Sequence, residues 1–597
     1  MKLLTSPYPN VPLFRRSIFT HLLGTTPDTP HLIGGFPASS PAFIDAATAT
    51  VLSRATLRSY ALQFAFSLHD LPAPLAYTPN PTTPSTVLIF SPNTIVWPIL
   101  LHGVAAAGLR TTLANSAFTS SELAYQYANA NASLIFTHPS LLSVVLDALK
   151  SLGCTESEIR SRVILISSNW LTGVPDPEST DAAHLVRLDA FFGRGELQGE
   201  VSFDGERSNE TLYLCYSSGT TGKPKGVETT HYNLVSLIEI LRPSWPSMIP
   251  CLTPFLPADT QGPHPDVFFG SLPYFHIYGA IKLLMFPLSL GTPAVIMSGF
   301  DPMRFCEAVE RYRATIVLVV PPMLVVLARH EAIEKYNMTS IHTLYSGAAP
   351  LGADLVATIR KRLQKVGADV IVSQAYGLTE TSPTMIVLHP NDANTHIGSV
   401  GRVLPNLEVQ LVREDAGEII TDIEGAGEIW VRGPTVMKGY LNNPSATASA
   451  ITPDGWFKTG DIAISDAEGF ITIIDRRKEL IKYKVVAPAE LEALLLQHPD
   501  VTDAAVVGVD SKEEATELPR AYIVPTGPIT PRESAVLALE VQAWVADRVA
   551  AHKKLRGGII TVDGIPKSAS GKILRRELRE RAKGEVGHGQ VGPRVKL

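Results

Sequence analysis

Short apolar runs rich in strand-favouring residues recur along the chain between amphipathic stretches, at 87–90, 163–166, 212–215, 315–320 and 370–373. Helical patterns stand between them, at 97–107 after the first run and at 354–366 before the last, the second carrying Leu355, Ile359 and Leu363 at four-residue spacing. Strands that alternate with helices imply α/β layers with largely parallel sheets. A chain of 597 residues exceeds one ordinary core, so two or more domains are expected. After 469–474 comes the charged segment Asp475-Arg476-Arg477-Lys478-Glu479, and then a compact helix and strand pattern. A boundary therefore falls between a large α/β domain, 1–475, and a small α+β domain, 476–580. In the small domain Pro488-Ala489-Glu490 marks a helix start, with Leu491, Leu494 and Leu495 as its apolar face, and 504–509 and 522–524 read as strands. The tail 581–597 is glycine-rich and reads as disordered. Its formal G-x-G-x-x-G from Gly587 to Gly592 has no strand before it and no room for a helix after it, so it is not a dinucleotide site.

Composition narrows the partners. With 45% hydrophobic and 18% charged residues and a net charge of −6, the chain lacks a nucleic-acid footprint and a polybasic membrane surface, which points to small molecules. Cys154, Cys215, Cys251 and Cys306 are far apart and give neither a disulfide framework nor a zinc site. The N-terminus lacks the apolar run of a secretory signal. The apolar stretches 271–297 and 314–328 are interrupted by His276 and Lys282, or by Pro321 and Pro322, so no membrane span is expected. Val595-Lys596-Leu597 is similar to the C-terminal peroxisomal address, with valine in place of a small residue. The expected location is intracellular, cytoplasmic or peroxisomal. Two proline-rich stretches, 71–84 and 242–266, read as surface loops, the second a candidate pocket mouth.

Three loops carry chemistry. Tyr216-Ser217-Ser218-Gly219-Thr220-Thr221-Gly222-Lys223-Pro224-Lys225-Gly226-Val227 follows a strand and combines glycines, hydroxyls and lysines, the parts that hold polyphosphate. It is not a Walker A loop, because Gly219 and Gly222 are too close and Pro224 stands where a magnesium-binding hydroxyl belongs. Ser346-Gly347-Ala348-Ala349-Pro350-Leu351 lies between a strand and a helix, where α/β folds bind ligands. Gln374-Ala375-Tyr376-Gly377-Leu378-Thr379-Glu380-Thr381 offers a stacking ring, a hydroxyl and a carboxylate, suited to a base, a phosphate and a magnesium ion.

With these loops the chain resembles the adenylate-forming superfamily of acyl-CoA synthetases, adenylation domains and beetle luciferases, most of all its 4-coumarate-CoA ligase branch. The ordered match adds Leu272-Pro273-Tyr274-Phe275-His276-Ile277-Tyr278-Gly279, Gly455-Trp456-Phe457-Lys458-Thr459-Gly460-Asp461, the segment 475–484, and Pro566-Lys567-Ser568-Ala569-Ser570-Gly571-Lys572. The resemblance implies a large multi-sheet N-terminal adenylating domain and a small mobile C-terminal one. It implies two half-reactions: a carboxylic acid attacks the α-phosphate of ATP to form acyl-AMP, and the thiol of CoA then displaces AMP. Bringing anions together calls for positive charge and positioning more than for a proton shuttle.

By this resemblance Ser217, Ser218, Gly219, Thr220, Thr221 and Lys225 cradle phosphates, and Tyr376 stacks near adenine beside Ala349, Gln374 and Ala375. Thr379 contacts the α-phosphate, Glu380 helps hold magnesium, and Asp461 takes the ribose hydroxyls with Arg476 nearby. Lys572 bridges the reacting carboxylate and phosphate, with His276 at the carboxylate end. The acyl pocket is His276, Tyr278, Ala349, Ala375, Pro383 and Thr384, with Ala375 replacing a glycine frequent in the family. Lys478 falls at the hinge, Lys482 and Lys484 on the nucleotide and CoA side, and Lys567 reads as surface charge.

One departure bears on the second half-reaction. The branch typically reads Lys-Gly-Phe-Gln-Val-Ala-Pro where this chain has Lys484-Val485-Val486-Ala487-Pro488, two residues shorter. The β-branched valines stiffen a loop that lines the pantetheine tunnel in relatives. The acid itself stays open among hydroxycinnamate, benzoate-type and medium-chain fatty acids, because one methylene discriminates by only about 1–3 kcal/mol. Alternatives are a stand-alone acyl-AMP ligase serving a carrier protein in trans, a luciferase-like oxidation, and a catalytically silent nucleotide- or acyl-binding homologue. The last is disfavoured by the intact set Lys572, Glu380, Thr379 and Asp461, and a hydrolase by the lack of a G-x-S-x-G elbow.

Overall fold

The computed structural model describes residues 3–71, 85–175, 184–217, 223–246, 248–251, 265–413, 418–419, 425–476, 479, 481, 486–511, 516–568 and 571–585. The proline-rich loop at 72–84, most of the one at 242–266, and the tail from 586 lie outside the described residues.

The apolar runs become the middle of two parallel sheets. In one, strands Val186–Arg187, Val163–Leu165, Ala132–Thr137, Thr86–Phe90, Arg110–Ala114 and Thr211–Ser217 lie side by side in parallel. Lys225–Thr230 and Gly439–Tyr440 then extend the sheet antiparallel. In the other, Ile371–Gly377, Thr343–Ser346, Ile316–Val319, Phe268–Gly270, Ala294–Ile296 and Pro41–Asp45 are parallel, with antiparallel strands at both edges. Every residue of Thr86–Phe90 and of Ile316–Val319 is buried, as expected of strands covered on both faces.

The helices cover these sheets. Trp97–Ala106 is buried along its whole length, with Pro98 in its first turn, where a missing N–H costs nothing. Ala353–Lys365 buries Val356, Ile359 and Leu363, so its stripe begins at Val356 rather than at the half-buried Leu355.

A third sheet, antiparallel, departs from the parallel pattern read in the sequence. It pairs Leu4–Thr5, Glu408–Arg413, Gly427–Arg432, Phe457–Ser465 and Ile471–Arg476. The small C-terminal unit stacks helices Pro488–Leu495, Pro531–Ala546 and Arg575–Ala582 on a three-stranded sheet, Val501–Ser511, Thr516–Pro525 and Ile559–Thr561. It has its own core around Leu491, Leu495, Val506, Ile523 and Val541. Hydrogen bonds tie it to the large domain: Arg329 Nη2 donates to the Val501 carbonyl at 3.2 Å, and Gln497 Nε2 to Asp354 at 2.5 Å.

Arg54 ties the large domain together at its N-terminal side. Buried at the start of helix Arg54–His69, it donates to the carbonyls of Ile33 at 2.8 Å, Leu288 at 2.9 Å and Leu22 at 3.0 Å. Burial pushes its guanidinium down to about 10, which still leaves it charged at neutral pH. Arg54→Met is expected to leave three buried carbonyls without donors and to lower unfolding stability by about 3 kcal/mol or more. Urea unfolding at unchanged m checks this, and a shift below about 1 kcal/mol would contradict it.

Candidate active site

Two turns and two strand ends from different sheets converge on one cavity of about 870 Å³. Strand Ile371–Gly377 ends where only glycine fits: a Cβ on Gly377 would lie 1.7 Å from the Pro383 carbonyl oxygen. This close approach folds the chain back into Thr384–Val387, and the intervening turn Thr379–Thr381 points Glu380 inward. On the neighbouring strand Thr343–Ser346 the chain leaves through Gly347 and Ala348, the latter at a positive φ of 68°.

Glu380 is buried, and its Oε1 accepts from Ser217 Oγ and Tyr440 OH, both at 3.0 Å. Burial and this carboxylate raise the Tyr440 hydroxyl above its ordinary range, keeping it a donor. Lys225 holds its ammonium 4.6 Å from the centre of the Tyr440 ring. One buried carboxylate beside a cationic loop fits magnesium, which binds through one or two carboxylates plus substrate phosphates and waters. Among the described residues no cluster of three or more metal-ligating side chains occurs, so Glu380 would act with the nucleotide rather than in a protein cage.

Across the cavity Asp461 and Arg476 are register partners on adjacent strands. Asp461 accepts from Tyr376 OH at 2.5 Å and pairs with Arg476 Nε at 3.1 Å. Burial raises the Asp461 carboxyl, opposed by Arg476, the Tyr376 hydroxyl and Lys572. Lys572 enters on a turn closed by Ser568 N donating to its carbonyl at 2.8 Å and by its own N donating to Ser568 Oγ at 3.1 Å. Burial and the charge of Arg476 push its ammonium down to about 8.

The opposite end is less polar. His276 caps helix Ile277–Leu284, its Nδ1 accepting from the Tyr278 N–H at 3.2 Å. Burial and the charge of Lys572 hold this imidazole down to about 4, so it is neutral at pH 7 with its proton on Nε2. Tyr278 donates to the Tyr345 carbonyl at 3.4 Å and forms a wall with Gly347, whose Cβ would meet that ring at 3.3 Å.

The cavity thus collects Ser217, Lys225, His276, Tyr278, Ala375, Tyr376, Thr379, Glu380, Pro383, Thr384, Arg476 and Lys572 from the residues singled out in the sequence, with Asp461 directly behind Tyr376. Among the described residues Ala348 rather than Ala349 lines it, and Gln374 is buried one position before Ala375. Ser218, Gly219, Thr220, Thr221, Lys478, Lys482 and Lys484 lie outside the described residues. Lys567 is not simple surface charge: it is half-buried and pairs with Asp503 at 2.6 Å. Sequence reasoning missed Tyr440, which lies two residues after Lys438 on the short edge strand Gly439–Tyr440, and Tyr125, whose hydroxyl donates to the Pro224 carbonyl at 3.0 Å.

Residues 40–441 match the family model for the AMP-binding enzyme, and residues 490–572 match that for the AMP-binding enzyme C-terminal domain. The chain belongs to the AMP-binding enzyme family. Within that family it is 35% identical over 501 residues to Probable CoA ligase CCL5 of Humulus lupulus, covering 82% of each chain. It is 34% identical over 518 residues to 4-coumarate-CoA ligase 1 of Narcissus pseudonarcissus, covering 84% of this chain and 85% of the relative. A benzoate CoA ligase from Burkholderia xenovorans LB400 has a similar structure, with a TM-score of 0.71 at 26% identity, over 91% of this chain and 97% of that one. No helix among the described residues is long and apolar enough to cross a membrane.

In this AMP-binding enzyme the surroundings of Lys572 have a measurable consequence. Its amine is protonated and unreactive below about 8 and becomes nucleophilic as pH rises through that value. Competitive labelling with an acylating reagent, read residue by residue by mass spectrometry, should give Lys572 an inflection near 8. An inflection at the ordinary lysine value of about 10.4 would contradict the geometry described.

Proposed function

We propose that this protein is an ATP- and magnesium-dependent acid:CoA ligase acting on an aryl or medium-chain carboxylic acid through an acyl-adenylate. The observation that carries this reading is the meeting of Lys572 and Arg476 with Glu380 and Asp461 around a cavity of about 870 Å³ that has a less polar end at Tyr278. The CoA ligases among its relatives support it.

In the first half-reaction a carboxylate oxygen attacks the α-phosphorus and pyrophosphate leaves. Two anions must approach, so the residues that matter hold charge and geometry. Lys572 supplies the cation between carboxylate and α-phosphate; Thr379 donates to that phosphate, and Lys225 with Ser217 to Thr221 takes the phosphate chain. Asp461 accepts from the ribose hydroxyls, with Arg476 fixing its orientation at 3.1 Å. Tyr376 packs on the base, with Ala348 and Ala375 lining the same space. His276, neutral and carrying its proton on Nε2, is a donor that does not compete with Lys572 for charge. Glu380 would hold magnesium, which when bound neutralises phosphate charge and favours departure of pyrophosphate.

For the second half-reaction the CoA thiol attacks the acyl carbon and AMP leaves. We place the domain limits at 1–475 and 476–580, with rotation about Lys478 exchanging the face that carries Lys572 for one carrying Lys482 and Lys484. The short Lys484-Val485-Val486 loop favours a second reading, in which a carrier-protein thiol replaces CoA.

The test incubates the protein with ATP, magnesium and a panel of aryl and fatty acids, with and without CoA, and follows pyrophosphate and acyl-CoA by mass. Acyl-CoA from one acid class is the expected result, and acyl-AMP that accumulates without thioester would favour the carrier reading. Lys572→Ala should lower pyrophosphate release about 10²–10³-fold while calorimetric ATP affinity stays largely intact. The wild-type rate should fall as pH rises through about 8, where Lys572 loses its charge. An unchanged rate in the variant would contradict the assignment.

A further inference from the structure

Helix Ser120–Asn129 touches both ends of the phosphate loop, and the chemistry above gives it no role. Its start is fixed by a reciprocal cap, in which Thr119 and Glu122 exchange hydrogen bonds. Its middle is fixed to the parallel sheet by the buried Gln126, whose Nε2 donates to Thr112 Oγ1 at 2.9 Å and to the Leu113 carbonyl at 3.0 Å. A helix tied down at these points is a rigid bracket, and Tyr125 and Asn129 extend from it to the loop.

Tyr125 and Asn129 stand one turn apart on the same face, about 6 Å along the axis. Each holds one stem of the loop. Strands Thr211–Ser217 and Lys225–Thr230 run antiparallel into and out of it, with Tyr216 opposite Gly226 and Ser217 opposite Lys225. On the incoming stem the Tyr216 hydroxyl donates to Asn129 Oδ1 at 2.7 Å, and Gly226 leaves room for that ring, since a Cβ there would lie 3.1 Å from Tyr216 Cζ. On the outgoing stem the Tyr125 hydroxyl donates to the Pro224 carbonyl at 3.0 Å. The Tyr125 and Tyr216 rings meet edge to face, with centroids 6.4 Å apart and planes at 86°. Lys223, a loop cation that the reaction above leaves unused, holds its ammonium 5.0 Å from the centre of the Tyr125 ring. The two hydrogen bonds span 87 and 99 residues of sequence, so neither is a by-product of local chain geometry.

These contacts act where the loop is most costly to order. Gly219 and Gly222 lose more backbone freedom than other residues when the segment takes one conformation, and stems already fixed lower the cost of presenting its donors to a phosphate chain. Pro224 has a locked φ, so the direction of its carbonyl rests on ψ alone, and the Tyr125 hydroxyl sets it. The peptide so oriented leads into Lys225, and both Pro224 and Lys225 line the cavity.

We propose that Tyr125 is a positioning residue for the β- and γ-phosphates of ATP, acting through the Pro224 carbonyl and Lys223, with Asn129 as its counterpart on the incoming stem. This rests on the ligase reading, in which Lys225 with Ser217 to Thr221 takes the phosphate chain, and adds to it a helix that contributes no group to the nucleoside. Tyr376, Asp461 and Arg476 are held by one another on other strands, so the contacts to adenosine survive a change at Tyr125.

The test is calorimetric titration of the full chain with ATP and with AMP, each with magnesium. Tyr125→Phe keeps the ring against Tyr216 and Lys223 and removes only the hydroxyl. It should weaken ATP binding about 3- to 10-fold and leave AMP binding unchanged. Tyr125→Ala, which removes the ring as well, should weaken ATP binding further and still spare AMP, and Asn129→Ala should show the same split. In turnover, Tyr125→Phe should raise KM for ATP and leave KM for the acid as it is. Equal loss of ATP and AMP affinity in Tyr125→Phe, or an unchanged ATP affinity, would overturn the inference and leave the ligase reading standing. Wild-type protein that binds neither nucleotide would overturn the ligase reading and this inference with it.

Discussion

A single buried carboxylate joins the separately folded parts of this enzyme. Asp461 sits on a strand of the antiparallel sheet, takes the hydroxyl of Tyr376 from the end of a parallel strand, and pairs with Arg476 on the adjacent strand. It also opposes the lowering of the Lys572 amine, which arrives from the C-terminal unit. Removing this charge would leave Arg476 and Lys572 facing each other across a poorly solvated cavity. A carboxylate at this meeting of strand ends therefore offsets the cations gathered around the cavity.

The same logic extends outward. Arg575, half-buried three residues beyond Lys572, forks between Glu479 and Glu492, each at 2.6 Å. Burial opposes its charge, but these carboxylates outweigh burial and hold the guanidinium above its ordinary value. The fork ties the chain just beyond Lys572 to helix Pro488–Leu495 through Glu492 and to Glu479. Cations that must meet anionic substrates are kept extended by fixed carboxylates rather than by water, which is what preorganised electrostatic catalysis requires.

Much of this could be read in the sequence, for physical reasons. Strands buried on both faces leave continuous apolar runs, so Thr86–Phe90 and Ile316–Val319 stood out, and the turns after Ser346 and after Gly377 that border the cavity followed from their place at strand ends. The antiparallel sheet did not, because strand Phe457–Ser465 carries Lys458, Thr459, Gly460 and Asp461, whose polarity breaks a strand's pattern. Lys282 was invisible as a buried group, since a lone lysine in an apolar stretch reads as a break. Only contact with Trp245, distant in sequence, reveals that it is enclosed. Lys567 and Tyr440 likewise acquire meaning through partners, Asp503 and Glu380, that no local pattern announces.

In the reaction proposed above, a carboxylate oxygen attacks the α-phosphorus of ATP between Lys572 and Thr379. Isotope transfer tests it most directly: a turned-over acid labelled with ¹⁸O in its carboxyl is carried through one complete reaction with ATP and CoA, and the nucleotide product is weighed. Attack at the α-phosphorus transfers one carboxylate oxygen, so AMP bearing a single ¹⁸O and unlabelled pyrophosphate are expected. Label appearing in inorganic phosphate together with ADP would mean attack at the γ-phosphorus and would contradict it.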